Sequence, residues 1–142
     1  MNGEVRIDDI RPGGIDMSRP TPLYRGADHA VYWLGITDDT VFRCNVYLIH
    51  DGAEVLLVDP GGHAFFPQVR ERVAQIVPPE EVTGLIVHHQ DPDVAAAMTD
   101  WLEINPDLTV FTSPRTHVLL PHYGRSGYRC RDVTEYPVHE MP

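Results

Sequence analysis

Apolar and polar positions change their rhythm partway along the chain. His29-Ala30-Val31-Tyr32-Trp33-Leu34-Gly35-Ile36 and Cys44-Asn45-Val46-Tyr47-Leu48-Ile49-His50 are rich in β-branched and aromatic residues, with the turn material Thr37-Asp38-Asp39-Thr40 between them. Such runs bounded by turn residues predict two strands. Asp51-Gly52 joins the second run to Glu54-Val55-Leu56-Leu57-Val58-Asp59, and an Asp-Gly step between two such runs predicts a hairpin. Pro60-Gly61-Gly62 closes that strand. From there the period lengthens, because Phe66, Val69, Val73 and Ile76 recur at helical spacing until Pro78-Pro79 stops the helix.

A strand followed by a helix then comes twice more. Leu85-Ile86-Val87 is a short continuous apolar run, as in a buried central strand, and it leads into a helix expected over 92–104. Leu108-Thr109-Val110-Phe111 predicts a further strand, with a helical turn or two from Pro114 to Leu120 and one more strand within Asp132-Val133-Thr134-Glu135-Tyr136-Pro137-Val138. Ahead of all this, Arg11-Pro12-Gly13-Gly14 and Arg19-Pro20-Thr21-Pro22 make residues 1–22 an irregular or loosely strand-like lead-in, and residues 23–142 the domain. A hairpin followed by β-α-β-α-β implies an α/β chain with a partly parallel sheet. Functional sites of such sheets lie outside the carboxyl ends of the strands. The positions just after Val58 and Val87 are therefore the ones to inspect.

Composition narrows the function classes. The 142 residues suit one domain, and the net charge of −10 opposes binding to nucleic acid or to anionic membrane surfaces. All eleven basic side chains are arginine. No apolar run approaches the ~20 residues of a membrane span, and Met1 to Asp9 is polar and acidic rather than signal-like, so a cytoplasmic protein is expected. Cys44 and Cys130 lie far apart, which indicates neither a disulfide framework nor a cysteine-rich zinc site.

After Val87 the chain reads His88-His89-Gln90-Asp91-Pro92-Asp93-Val94. Helix initiation explains part of this: Asp91 suits the N-cap, Pro92 the first helical position and Asp93 the first turn. It does not explain two imidazoles at the mouth of a buried strand. His89, Asp91 and Asp93 stand at alternate positions of a tight turn and could converge on one metal or two adjacent ones. Imidazole with carboxylate and no thiolate favours iron or manganese over zinc. Both readings are open on the residues alone.

The remaining candidates read as structural. His29, His50, His63, His117 and His122 have no partner at a telling spacing, and Gly61-Gly62 lacks the companions of a phosphate-binding loop. Val94, Met98, Trp101 and Leu102 share one helical face and form core. Tyr123 and Tyr128 suit packing as well as a substrate channel, and no nucleophile elbow or cysteine-histidine pair is visible.

His89-Gln90-Asp91-Pro92-Asp93 behind an apolar strand, with Asn45-Val46-Tyr47-Leu48-Ile49 and Leu56-Leu57-Val58-Asp59-Pro60-Gly61 upstream, resembles the metallo-β-lactamase superfamily. More narrowly it resembles the diiron domain of flavodiiron and oxygen-binding diiron proteins, which carry His-x-Glu-x-Asp. The resemblance runs from about Leu23 onward and implies the N-terminal half of an αββα sandwich, a mixed sheet with flanking helices. It makes His89 and Asp91 ligands of one iron, Asp93 a ligand of the second, and Asp59 a support for the strand-end loop. Asp91 replaces the usual glutamate and reaches one methylene less far, while Val94 stands where the zinc hydrolases carry a histidine.

A complete site of that family takes further histidines and a bridging aspartate from the second half of the sandwich. The sequence ends at Met141-Pro142 before such a half, and His139 has neighbours unlike the later ligand motif. The expectation is a half-sandwich with one open sheet face, associated with another copy or a complementary C-terminal half. The implied function is binding or reduction of dioxygen or nitric oxide at two irons. No FMN-binding flavodoxin domain accompanies it, so turnover would draw on a separate electron donor, and reversible oxygen sensing is the non-enzymatic variant. A metal-dependent hydrolase with zinc, or a partner-binding fragment, are the alternatives.

Overall fold

The two-residue hairpin fixes the start of the sheet. In the computed structural model, which describes residues 19–37 and 44–135, strands β1 (Thr21–Arg25), β2 (His29–Thr37), β3 (Cys44–Asp51) and β4 (Glu54–Val58) form an antiparallel meander. Asp51 pairs with Glu54, so Gly52-Ala53 makes the β3–β4 turn and Gly52 takes the left-handed position at φ 58°. That is one residue later than the Asp51-Gly52 signal suggests, since glycine accepts positive φ without a Cβ clash. Thr21 and Pro22, expected in the lead-in, already belong to β1.

Parallel pairing takes over at β4. The chain continues through α1 (Phe66–Ala74), β5 (Gly84–Ile86), α2 (Pro92–Ala95), α3 (Met98–Ile104), β6 (Thr109–Thr112), α4 (Pro114–His117) and β7 (Arg129–Asp132). Among the described residues, all seven strands form one sheet in sequence order, with β4 to β7 parallel. The α/β class and mixed sheet expected from the sequence are thus present. Leu57, Leu85 and Val110 lie in register across β4, β5 and β6. Together with Val46, Leu48 and Val55 they meet Val69 and Val73 of α1 and Met98, Trp101 and Leu102 of α3 in one buried cluster.

The opposite face alternates out of phase with that cluster. Tyr47, Ile49, Val58, Ile86 and Phe111 are half-buried there among the described residues. Among the described residues no helix is long and apolar enough to cross a membrane.

Two expectations are revised. The helix expected over 92–104 is broken between α2 and α3, and the cause is Gly61. Its N–H donates to the Val94 carbonyl at 2.9 Å, and its carbonyl accepts from Ala97 N–H at 2.9 Å. An unbroken helix would direct the Ala97 N–H to the Asp93 carbonyl and the Met98 N–H to the Val94 carbonyl, so the glycine loop replaces one helical link at each. The last strand lies at Arg129–Asp132, earlier than the run beginning at Asp132. The rest of that run, His139, residues 1–18 and most of the Thr37 to Thr40 turn lie outside the described residues.

Candidate metal centre

The carboxyl ends of β4, β5 and β6 bring together the loops that the strand pattern singles out. Asp59, directly after β4, is the one described non-glycine residue with positive φ, at 55°. Aspartate tolerates that region because its short polar side chain bonds locally. Its N–H donates to Ile86 at 2.8 Å, and its carboxylate faces the next loop. His88 N–H donates to Asp59 Oδ1 at 2.9 Å, and His88 Nδ1–H donates to Asp59 Oδ2 at 2.9 Å. The imidazole is thereby held in one orientation with Nε2 outward, at 65 % side-chain exposure.

His89 and Asp91 come together and Asp93 stands apart from their contact. His89 Nδ1 lies 3.3 Å from Asp91 Oδ1 and also 3.3 Å from the Asp91 N–H. One ring nitrogen cannot serve both: neutral, it accepts the amide, and protonated, it donates to the carboxylate. Both side chains are more than half exposed. Asp93 is half-buried in the first turn of α2, with its Cα close to Gly62. Among the described residues no group of three or more His, Cys, Asp or Glu side chains is gathered around one centre.

Asp91 occupies the N-cap position of α2, followed by Pro92, yet its side chain makes no capping hydrogen bond. The helix-initiation reading therefore explains the proline and the backbone but not the carboxylate. Ser113, the N-cap of α4, shows the contrast, since its Oγ accepts from Thr116 N–H at 3.3 Å.

Three side chains from outside the stretch hold the backbone between β5 and α2. Besides Asp59 on the His88 amide, buried Thr112 donates its hydroxyl to the Val87 carbonyl at 2.7 Å. Tyr123, arriving from the turn after α4, donates its hydroxyl to the Gln90 carbonyl. Burial, then the nearby charges of Asp91 and Asp93, push the Tyr123 phenol above its ordinary value. Sequence reasoning gave Tyr123 no preference over packing, and its partner 33 residues away leaves no local signal.

Cys44 lies beneath the same loops, buried, with its thiol 3.7 Å from the Asp59 carbonyl. Desolvation, then Asp59 and Asp93, push its thiol up to about 12. A protonated buried thiol is a poor ligand and nucleophile. Other described histidines have partners of their own: His63 Nδ1 meets Asp100 Oδ2 at 2.6 Å, His29 meets Asp51 at 3.6 Å, and His117 faces the Tyr128 hydroxyl at 3.3 Å.

Comparison with known proteins adds to this geometry. A family model described as ODP family beta lactamase matches residues 42–141. Among solved structures, the chain is similar to the peroxy diiron species of chemotaxis sensor ODP, with 26 % identity and a TM-score of 0.64 over 80 % of this chain and 45 % of that one. It is also similar to the apo state of chemotaxis sensor ODP from T. denticola, with 29 % identity and a TM-score of 0.64 over 80 % of this chain and 44 % of that one. A flavo-diiron protein mutant from Thermotoga maritima shares the fold at 20 % identity, TM-score 0.67, over 80 % of this chain and 31 % of that one. The chain spans less than half the length of each of these proteins. No curated protein matches it. The sheet is that of the metallo-β-lactamase-like flavodiiron core.

Proposed function

The chain belongs to the ODP family beta lactamase group, and from that membership we propose that it presents His89, Asp91 and Asp93 as ligands of a diiron-type centre that binds dioxygen or nitric oxide. The observation that carries this reading is the Asp91 carboxylate. It stands at a helix start without capping it and turns instead toward His89. An imidazole and two carboxylates match the nitrogen and oxygen donors that iron or manganese accept.

In this reading His89 and Asp91 hold one iron and Asp93 reaches the second. Asp59 acts behind them, fixing His88 and the backbone that leads into His89. Bound iron would supply redox-active positions at which a diatomic molecule is held. Three donors from one loop fill only part of two coordination shells, so the remainder comes from outside the described residues. A second copy of the chain or a complementary C-terminal half would supply it across the half-buried face at Tyr47, Ile49 and Phe111. Two of the similar structures are of a chemotaxis sensor, which favours reversible binding and sensing over turnover. Reduction of the diatomic ligand would require a separate electron donor.

Anaerobic titration with ferrous iron, followed by metal analysis, tests the proposal. Iron should be retained in a fixed ratio to the chain, change its absorption on exposure to oxygen or nitric oxide, and be lost in His89→Ala and Asp93→Ala. A folded chain that retains no iron overturns the reading, and retention of zinc alone turns it toward a hydrolase.

A further inference from the structure

The stretch from Val87 to Asp91 has no regular secondary structure, yet it carries two of the three candidate donors and leads into the third. Irregular backbone at a binding site holds its geometry only where surrounding groups restrain it. Here the restraints come from three separate elements. Thr112 at the end of β6 fixes the Val87 carbonyl, Asp59 after β4 fixes the His88 amide, and Tyr123 fixes the Gln90 carbonyl. The first two act on the buried root of the loop. Tyr123 alone of the three acts on the peptide between His89 and Asp91.

We propose that Tyr123 is a positioning residue for the ligand loop: its hydroxyl, bonded to the Gln90 carbonyl, sets the separation of His89 and Asp91 before any metal arrives. The Asp91 carbonyl in turn accepts the N–H groups of Val94 and Ala95 at 3.0 and 2.9 Å. A restraint at Gln90 is therefore passed on to the first turn of α2 and to Asp93. The phenol touches backbone only and is not itself offered as a ligand. The effect on the loop stands on the structure alone, whereas the effect on metal affinity rests on the function proposed above.

Tyr123→Phe removes the hydroxyl and keeps the ring. Tyr128→Phe is the control, since the Tyr128 hydroxyl faces His117 rather than the loop. In the metal-free protein, amide exchange at Asp91, Val94 and Ala95 should quicken about tenfold in Tyr123→Phe, the equivalent of one lost hydrogen bond. Exchange in α1 and in Tyr128→Phe should be unchanged. Ferrous affinity should fall about tenfold or more, as for other groups that orient ligands. Unchanged exchange at Asp91, Val94 and Ala95 overturns the inference, and so does iron bound equally well by wild type and Tyr123→Phe. If the wild type binds no iron while loop exchange quickens as expected, the diiron reading fails and the positioning role of Tyr123 stands.

Discussion

Asp59 grips His88 at two points, its two carboxylate oxygens taking the backbone N–H and the imidazole N–H of the same residue, both at 2.9 Å. The contact ties the end of β4 to the end of β5. It also requires Asp59 to sit at φ 55°, a conformation that alanine adopts at a cost of about 1 kcal/mol.

Substitution at Asp59 should therefore separate the two costs. Asp59→Ala loses both bonds and the favourable backbone, for about 2–4 kcal/mol of stability. Asp59→Asn keeps the left-handed backbone and one acceptor oxygen, and should lose about 1 kcal/mol. Urea midpoints measure both, and a loss of about 1 kcal/mol in Asp59→Ala with none in Asp59→Asn would show that only the backbone preference matters and that the paired contact contributes nothing.

The two aspartyl and seryl helix starts should respond in opposite ways. Ser113→Ala removes a working cap and should cost about 1 kcal/mol. Asp91→Ala removes a carboxylate that caps nothing, so its stability should change by less than about 0.5 kcal/mol. Thermal unfolding of the metal-free variants decides the matter. A cap-sized loss at Asp91 would return its carboxylate to the helix.

The thiols should divide by reactivity. Cys130 is exposed and Cys44 is buried, so a thiol reagent at pH 8 should modify one cysteine quickly, and Cys130→Ser should abolish that phase. The Cys44 thiol stays protonated in the fold until about pH 12, against an ordinary 9.0. In the unfolded chain it ionises from about 9, so its contribution to stability is complete below that pH and declines between 9 and 12. Urea unfolding of wild type and Cys44→Ala on either side of pH 9 measures the difference. A Cys44 that reacts as fast as Cys130 contradicts the burial.

Gly84 in the centre of the sheet should not tolerate a side chain. A Cβ there would meet Leu56 Cδ2 at 2.6 Å, Phe111 Cε2 at 3.0 Å and the Thr109 carbonyl at 3.2 Å. The first two can shift but the backbone oxygen cannot, and Gly84→Ala should lose about 1–3 kcal/mol. Thermal unfolding reads the loss, and an unchanged midpoint would mean that the face carrying Leu56 and Phe111 is looser than its packing indicates.

Much of this architecture was legible from residue order. The Asp-Gly hairpin, the apolar run at Leu85 and the helical period of Phe66 to Val73 are local signals, and they sufficed to point at the loops after Val58 and Val87. What escaped depends on residues distant in the chain. The helix after Pro92 breaks because Gly61 takes over hydrogen-bonding positions at Val94 and Ala97, and no periodicity in 92–104 records a glycine from another loop. Likewise Asp91 looks the same in sequence whether its carboxylate caps α2 or faces His89. Tyr123 reads as packing until its hydroxyl is seen on Gln90. His63 has no partner at a telling spacing because its partner Asp100 lies on a different element, 37 residues away.

Each strand from β2 to β7 pairs with the strand before it in the chain, so the sheet can be laid down in the order in which a ribosome delivers it. The loop between Val87 and Asp91 is an exception to that schedule. Its restraints at Thr112 and Tyr123 emerge 25 and 33 residues after the groups they hold. A nascent chain halted at the end of α2 would already carry His89, Asp91 and Asp93 while lacking the means to keep their loop in place, which makes the set geometry of that loop one of the last properties this polypeptide acquires.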